Sequence, residues 1–365
     1  MRVLHVINHL DLAGAEKLVA NLALRMKALG VNAGVCALQI RDGCLASQLR
    51  DGGVFLHAGS SSPYSPRQIA VIRALLSHRR FDVVHSHLFP ALAWVPPGVA
   101  GLSSKPVILT TEHSTTNRRR RPFLRPIDAF LYRPYAAVAC VSEQTRVALL
   151  EWLPSLAPKS LVVENGIALA DFRPDAPPSF SGLQGRQPLL LCIGRLVEQK
   201  GQDILIRALA QIPDARLVLV GEGPRRSDLE SLAARLGLSG RITFTGVSND
   251  LRPLLASADV YVQPSRREGF GLAAVEAMAA GRPVVASDVP GLREVVADAA
   301  LKVPPCEPTT LASAILRVLA QPALQEELHL RSISRSEHYS IDRAVREYLS
   351  LYEGLLHGSP PATSH

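Results

Sequence analysis

Long apolar runs are missing from this chain. No stretch approaches the ~18 uninterrupted apolar residues that cross a bilayer. The longest candidate, ALAWVPPGVAGL, is short and contains Pro96 and Pro97. Cysteine is scarce and scattered: Cys36, Cys44, Cys140, Cys192 and Cys306 are odd in number and never form a CxxC pair. That argues against a disulfide framework or a thiolate metal site and fits reduced thiols in a cytosolic protein. The opening MRVLHVINHLD has too short an apolar run for a signal peptide and reads as a first strand. No repeat of solenoid period occurs. No Asp-x-Asp motif stands at a strand end, and GEGPRR is not a dinucleotide fingerprint, because Arg226 stands where GxGxxG needs its third glycine.

What is present is ordinary globular chemistry, unevenly charged. A chain of 365 residues supports two domains, each with its own core. Its 47% hydrophobic and 20% charged residues exclude a disordered class. Residues 1–175 carry 20 Lys and Arg against 12 Asp and Glu, so the whole net charge of +8 lies in the N-terminal half. Such asymmetry points to an anionic partner for that half.

Strand-like and helix-like segments alternate throughout. RVLHVIN, FDVVHSH, KPVILTTEH and AAVACVS read as strands, and AEKLVANLALRMKALG as a helix with Leu18, Leu22, Arg25, Met26 and Leu29 close to one face. The continuous apolar strands imply parallel sheets covered on both faces. FRPDAPPSFSGLQGRQP breaks the pattern as a linker. Alternation restarts with LLLCIG, ARLVLVG, RITFTG, DVYVQP and PVVASD, and ends in the amphipathic SIDRAVREYLSLYEGLLH, with Ile341, Val345, Tyr348, Tyr352 and Leu355 in its apolar stripe. The expected organisation is two doubly wound α/β domains at 1–172 and 189–340, a linker at 173–188, a helix at 341–357 packing back toward the first domain, and a disordered tail at 358–365.

Ligands in open α/β sheets bind at the carboxyl ends of strands, so two such domains predict a site in the cleft they share. In the second half every strand is followed by glycine, a charge or both. Arg195 follows LLLCIG and Lys200 opens the next helix; Gly221 and Glu222 follow LVLV; Gly246 ends RITFTG; Glu268 follows DVYVQP. Two cations and glycine turns at helix starts suit a diphosphate. EGFGLAAVE brackets a Gly-Phe-Gly turn with two carboxylates. A carboxylate accepts from two adjacent hydroxyls, so Glu268 is expected to hold a sugar and Glu276 a ribose diol, with the diphosphate at Arg195, Lys200 and the Gly-Phe-Gly amides of Gly269, Phe270 and Gly271; Leu272, which follows them, is a further candidate donor contact.

These residues resemble the retaining glycosyltransferases of the GT-B fold, the family 4, group 1 type marked by a Glu-x7-Glu signature. EGFGLAAVE, GRLVEQKG, VGEGP, ASADVYVQPS, EAMAAGRPVVASD, LAGAE and VVENGI carry the resemblance over about 1–345. It implies two Rossmann-like domains facing each other across a cleft. It also implies transfer of a sugar from a UDP- or GDP-type nucleotide diphosphate sugar to a saccharide or lipid-linked acceptor, in bacterial cell-surface polysaccharide or glycolipid synthesis. Arg195 and Lys200 would bind the diphosphate, Glu268 the sugar and Glu276 the ribose. Gly14 would bring an amide to the phosphate, and His113 would stand near the anomeric carbon. The departure is Ala13, where glycine is usual. No metal and no cofactor are expected.

The run RRRRPFLRP adds Arg118, Arg119, Arg120, Arg121 and Phe123 as candidate contacts to an anionic membrane or acceptor, peripheral on the cytoplasmic face. The alternative for this run is a solvated loop, and no recognition motif supports nucleic acid. Two other functions compete: a sugar-nucleotide 2-epimerase of the same architecture, and a non-catalytic sugar-binding two-domain protein.

Overall fold

The computed structural model describes residues 1–40, 43–117, 119–173 and 187–358. Most of the expected linker, all of the expected tail except Gly358, and Arg118 lie outside the described residues. The chain forms two compact units: Met1–Gly166 with the segment from Ile341 onward, and Ile167–Ser340. The second unit starts earlier than the sequence suggested. Ile167 pairs with Ser340 in a parallel bridge, and its N–H donates to Tyr339 O at 2.8 Å.

The first unit is built on seven parallel strands: β1 (Arg2–Ile7), β2 (Asn32–Ala37), β3 (Phe55–Ala58), β4 (Val83–His87), β5 (Val107–Glu112), β6 (Ala137–Cys140) and β7 (Ser160–Val162). Their spatial order is β3-β2-β1-β4-β5-β6-β7. The order reverses direction between β1 and β4, which pair with Val3 opposite Val83 and His5 opposite His85. Every residue of β4 is buried, as expected for a strand covered on both faces. The helix Gly14–Ala28 follows β1 and buries Leu18, Leu22 and Met26. Leu29, expected on that face, lies past the last turn and is exposed, and Arg25 leaves it to pair with Asp342.

Asp342 belongs to the helix Ile341–Leu356, which buries Ile341, Val345, Tyr348 and Tyr352 in the first unit. The apolar stripe read from the sequence is therefore a packing face, and its two tyrosines reach the sheet.

The second unit carries six parallel strands: β8 (Leu189–Ile193), β9 (Arg216–Val220), β10 (Ile242–Gly246), β11 (Val260–Gln263), β12 (Val284–Ser287) and β13 (Ala300–Val303). Their order is β10-β9-β8-β11-β12-β13, and the reversal falls between β8 and β11. No helix among the described residues is long and apolar enough to cross a membrane.

Candidate active site

In the second unit Arg195 and Lys200 follow β8 and Glu268 follows β11, the two strands on either side of the switch point, while Gly221, Glu222 and Gly246 stand at the ends of β9 and β10. Arg195 is exposed just past β8, and among the described residues no side chain pairs with its guanidinium. Lys200 closes the 3-10 turn Glu198–Lys200 and donates from Nζ to Glu268 Oε2 at 2.6 Å. The same oxygen lies 3.1 Å from Ser265 Oγ and 3.3 Å from Gln263 Nε2. Glu268 is only 8% exposed, so a cation and two neutral donors offset the cost of burying its charge.

Sequence reasoning missed the support beneath this pair. Tyr261 OH donates to Gln263 Oε1, and Gln263 Nε2 donates to Ser265 Oγ at 2.9 Å. Tyr261, Gln263 and Ser265 recur at every second position, so an extended chain turns them to one side. That polar alternation inside a buried apolar strand was the available signal. The loop is braced a second time: Arg266 forks onto Asp203, with both bonds at 2.7 Å. Burial pushes the Asp203 carboxyl up, but the Arg266 bonds prevail and hold it below its ordinary value. One arginine thus ties the Glu268 loop to the helix Gln202–Leu209, which begins just after Lys200.

The glycines act through close backbone approach. At Gly221, φ is +134°, and a Cβ there would stand 2.2 Å from Gly194 O. Its N–H donates to Gly246 O at 2.8 Å, which joins two strand ends. Glu222 beside it pairs with Arg226, 2.5 Å away. Gly271 caps the helix Leu272–Ala279 at φ +100°. The Phe270 ring turns away from solvent and packs edge-on against Tyr339, with centroids 5.2 Å apart, so its amide rather than its ring remains the candidate contact. Glu276 sits within that helix and is 4% exposed.

In the first unit Gly14 opens the helix after β1. Ala13 before it has φ −108° and ψ 171°, an extended conformation that any residue adopts, so this position does not require glycine. His113 follows β5, half-buried, with Nε2 3.2 Å from His87 Nδ1. Behind it His5, His85 and His87 are fully buried, and one nitrogen from each lies within 4.8 Å of the others. Those distances admit a cation. However, five of the six nitrogens already meet protein partners: His5 with His87, His87 also with His113, and His85 with Tyr352 and Thr111. That is a hydrogen-bonded network, and a metal would have to break it.

The arginine run divides. Arg119 Nε lies 3.1 Å from Asp128 Oδ1, and its guanidinium covers the Phe89 ring at 4.3 Å. Arg120 donates to Thr115 O at 2.7 Å and Ala148 O at 2.9 Å. Both serve the fold. Arg121 is exposed, Phe123 is 70% exposed, and Ile127 and Phe130, which the sequence reading passed over, are 54% and 69% exposed.

Two doubly wound parallel sheets, each with polar residues collected at its switch point, define a protein of two Rossmann-like domains, the GT-B class. Residues 177–335 match the family model described as Glycosyl transferases group 1, and residues 12–171 match Glycosyltransferase Family 4. The chain belongs to this glycosyltransferase family. It is 31% identical over 259 residues to the 2-deoxystreptamine glucosyltransferase of Streptomyces kanamyceticus, covering 67% of each chain. It is 38% identical over 181 residues to an uncharacterised glycosyltransferase of Methanocaldococcus jannaschii, covering 47% of this chain; there it spans about half of its relative, 46%. In fold it is similar to Anabaena HepE in complex with UDP and glucose, with a TM-score of 0.82, 22% identity, and coverage of 96% of this chain and 98% of that one.

Proposed function

We propose that the protein is a retaining, metal-independent glycosyltransferase that moves a sugar from a nucleotide diphosphate sugar to a hydroxyl of a saccharide or lipid-linked acceptor. The observation that carries this is the Lys200–Glu268 pair at a sheet switch point, with exposed Arg195 just past β8 in the same connection as Lys200. A sugar diphosphate presents hydroxyls to a carboxylate and anionic oxygens to cations, and this cluster offers both. UDP-sugars are the donors to try first, since the fold neighbour HepE is seen with UDP and glucose.

The chemistry follows from charge. As the bond from anomeric carbon to diphosphate oxygen breaks, its electron pair goes to the diphosphate, where Arg195 and Lys200 stabilise it. Glu268 accepts from sugar hydroxyls and Glu276 from the ribose diol. The acceptor oxygen attacks the anomeric carbon on the face the diphosphate leaves, and its proton passes to a diphosphate oxygen. Configuration is then retained without a carboxylate nucleophile, unlike the two-carboxylate hydrolases.

The test is incubation with UDP-, GDP- and ADP-sugars in EDTA, with the products followed by NMR. Nucleotide diphosphate release with a retained anomeric configuration supports the proposal. An epimerised donor indicates the epimerase, and binding without turnover the sugar-binding protein.

An acceptor at an anionic membrane is favoured by one surface. Phe123, Ile127 and Phe130 recur at helical spacing along Pro122–Leu124 and Arg125–Tyr132. Exposed Arg121, Arg125 and Arg133 stand along the same segment. Apolar side chains set among arginines suit an interface with acidic headgroups, worth about 1 kcal/mol per cation near the surface.

A further inference from the structure

Three imidazoles form one line in the first unit. His5 Nδ1 lies 3.1 Å from His87 Nε2, and His87 Nδ1 lies 3.2 Å from His113 Nε2. The line starts deep, since His5 and His87 are fully buried, and ends at half-buried His113 past the end of β5. His5 Nε2, at the closed end, is buried with no partner. At the other end, no hydrogen bond to His113 Nδ1 occurs among the described residues.

A line of neutral imidazoles has two consistent arrangements. Each ring carries one proton, so each must donate through one nitrogen and accept through the other. If His113 donates inward, His87 donates to His5, and His5 is left with an N–H on Nε2 buried against nothing. If His5 donates outward, His87 donates to His113, and the unmatched group at the closed end is a lone pair. Orphaned buried N–H groups are the rarer defect in folded proteins, and each costs the desolvation of that group.

We infer that the outward arrangement holds, so that His5 and His87 are positioning residues that lock His113 into the Nδ1–H tautomer and make it a hydrogen-bond donor rather than a base. The neutrality this requires is supported by burial, which pushes His5 and His113 each down to about 4 and lowers His85 and His87 well below the ordinary histidine range. The other ring against the line, His85, is 4.0 Å from His87 between centroids and is held by Tyr352 and Thr111. Under the proposed function, the Nδ1–H would meet a sugar oxygen. Accepting the acceptor proton would mean reversing all three rings, which agrees with that proton passing to the leaving diphosphate.

What His113 touches rests on the proposed function, but its tautomer does not. The experiment is long-range proton–nitrogen NMR of the 15N-histidine full-length protein at pH 7, with His113 assigned through His113→Gln. The expected pattern is a proton on His113 Nδ1 and His87 Nδ1. A proton on His113 Nε2 overturns the inference, as does stoichiometric zinc in the purified protein. His5→Asn keeps a donor where Nδ1 stood and should preserve the pattern. His5→Leu should give a mixture of His113 tautomers and lower kcat about tenfold, the scale of one hydrogen bond, with the loss rescued in His5→Asn. An unchanged His113 pattern in His5→Leu refutes the line. If that variant does not fold, the wild-type pattern and His5→Asn still decide. The expected tautomers in a protein that transfers no sugar would sink the proposed function and leave this inference standing.

Discussion

Lys200 Nζ and Glu268 Oε2 lie 2.6 Å apart across 68 residues of sequence. The first closes a turn after β8 and the second follows β11, strands adjacent in space. The pair holds a cation and a carboxylate in a single spot, the two groups that the proposed function assigns to anionic oxygens and to hydroxyls.

Lys200→Met leaves a buried carboxylate with only neutral donors. It should destabilise the fold by about 1–3 kcal/mol and lower turnover by roughly 10²–10³. The double variant Lys200→Met/Glu268→Gln should recover melting temperature but not activity. Recovery of both would make the pair purely structural; thermal melts beside a transfer assay decide.

Arg195 is exposed and bound by no side chain among the described residues. Arg195→Ala should therefore leave the melting temperature within a degree or two while cutting turnover by about 10²–10³. Wild-type turnover should survive EDTA. Full activity in the variant, or loss of wild-type activity on chelation, contradicts the mechanism.

Glu276 is the expected ribose contact. Glu276→Gln keeps the side-chain shape and should weaken UDP binding by about 1–3 kcal/mol, measured calorimetrically. Equal affinity in the two proteins would remove Glu276 from the nucleotide site.

Binding to phosphatidylglycerol vesicles should fall steeply with salt, because the screening length shrinks from ~10 Å at 0.1 M to ~3 Å at 1 M. Phe123→Ser/Ile127→Ser/Phe130→Ser should lose co-sedimentation yet still bind nucleotide. Indifference of the wild type to vesicles at low salt would favour a soluble acceptor.

Acid should unfold the first unit early. The buried histidines have folded values below their ordinary 6.5, about 4 for His5, so the unfolded chain binds more protons between those limits. Stability is then complete above about pH 6.5 and is lost as pH falls toward 4. The drop for His5 alone would be of order 3 kcal/mol. His5→Asn should flatten part of the slope in denaturant titrations between pH 4 and 7; an unchanged slope would mean that His5 does not set it.

Much of the fold was legible because apolar strands of a parallel sheet are continuous. β1, β5, β6, β8, β9, β11 and β12 stand out as such runs, and β4 (VVHSH) and the edge strand β10 (ITFTG) read as strands although polar residues interrupt them. β3, β7 and β13 did not, and all three lie at sheet edges, where short strands carry little pattern. β2, NAGVCA, was hidden by Asn, Ala and Gly, weak strand formers whose pairing with β1 overrides local preference.

The sequence by itself determined the alternation, the two-domain plan and the polar residues after each strand, because those depend on local periodicity and turn chemistry. Which of them meet was decided by tertiary structure. Lys200 finds Glu268 only because the sheet order puts β8 beside β11. His5 joins His87 because β1 pairs with β4. Arg119 and Arg120 look like Arg121 in the chain, yet the first pairs with Asp128 and the second bonds carbonyls of the fold. A charge run fixes how many cations there are; only packing decides which find a buried partner and which remain in water.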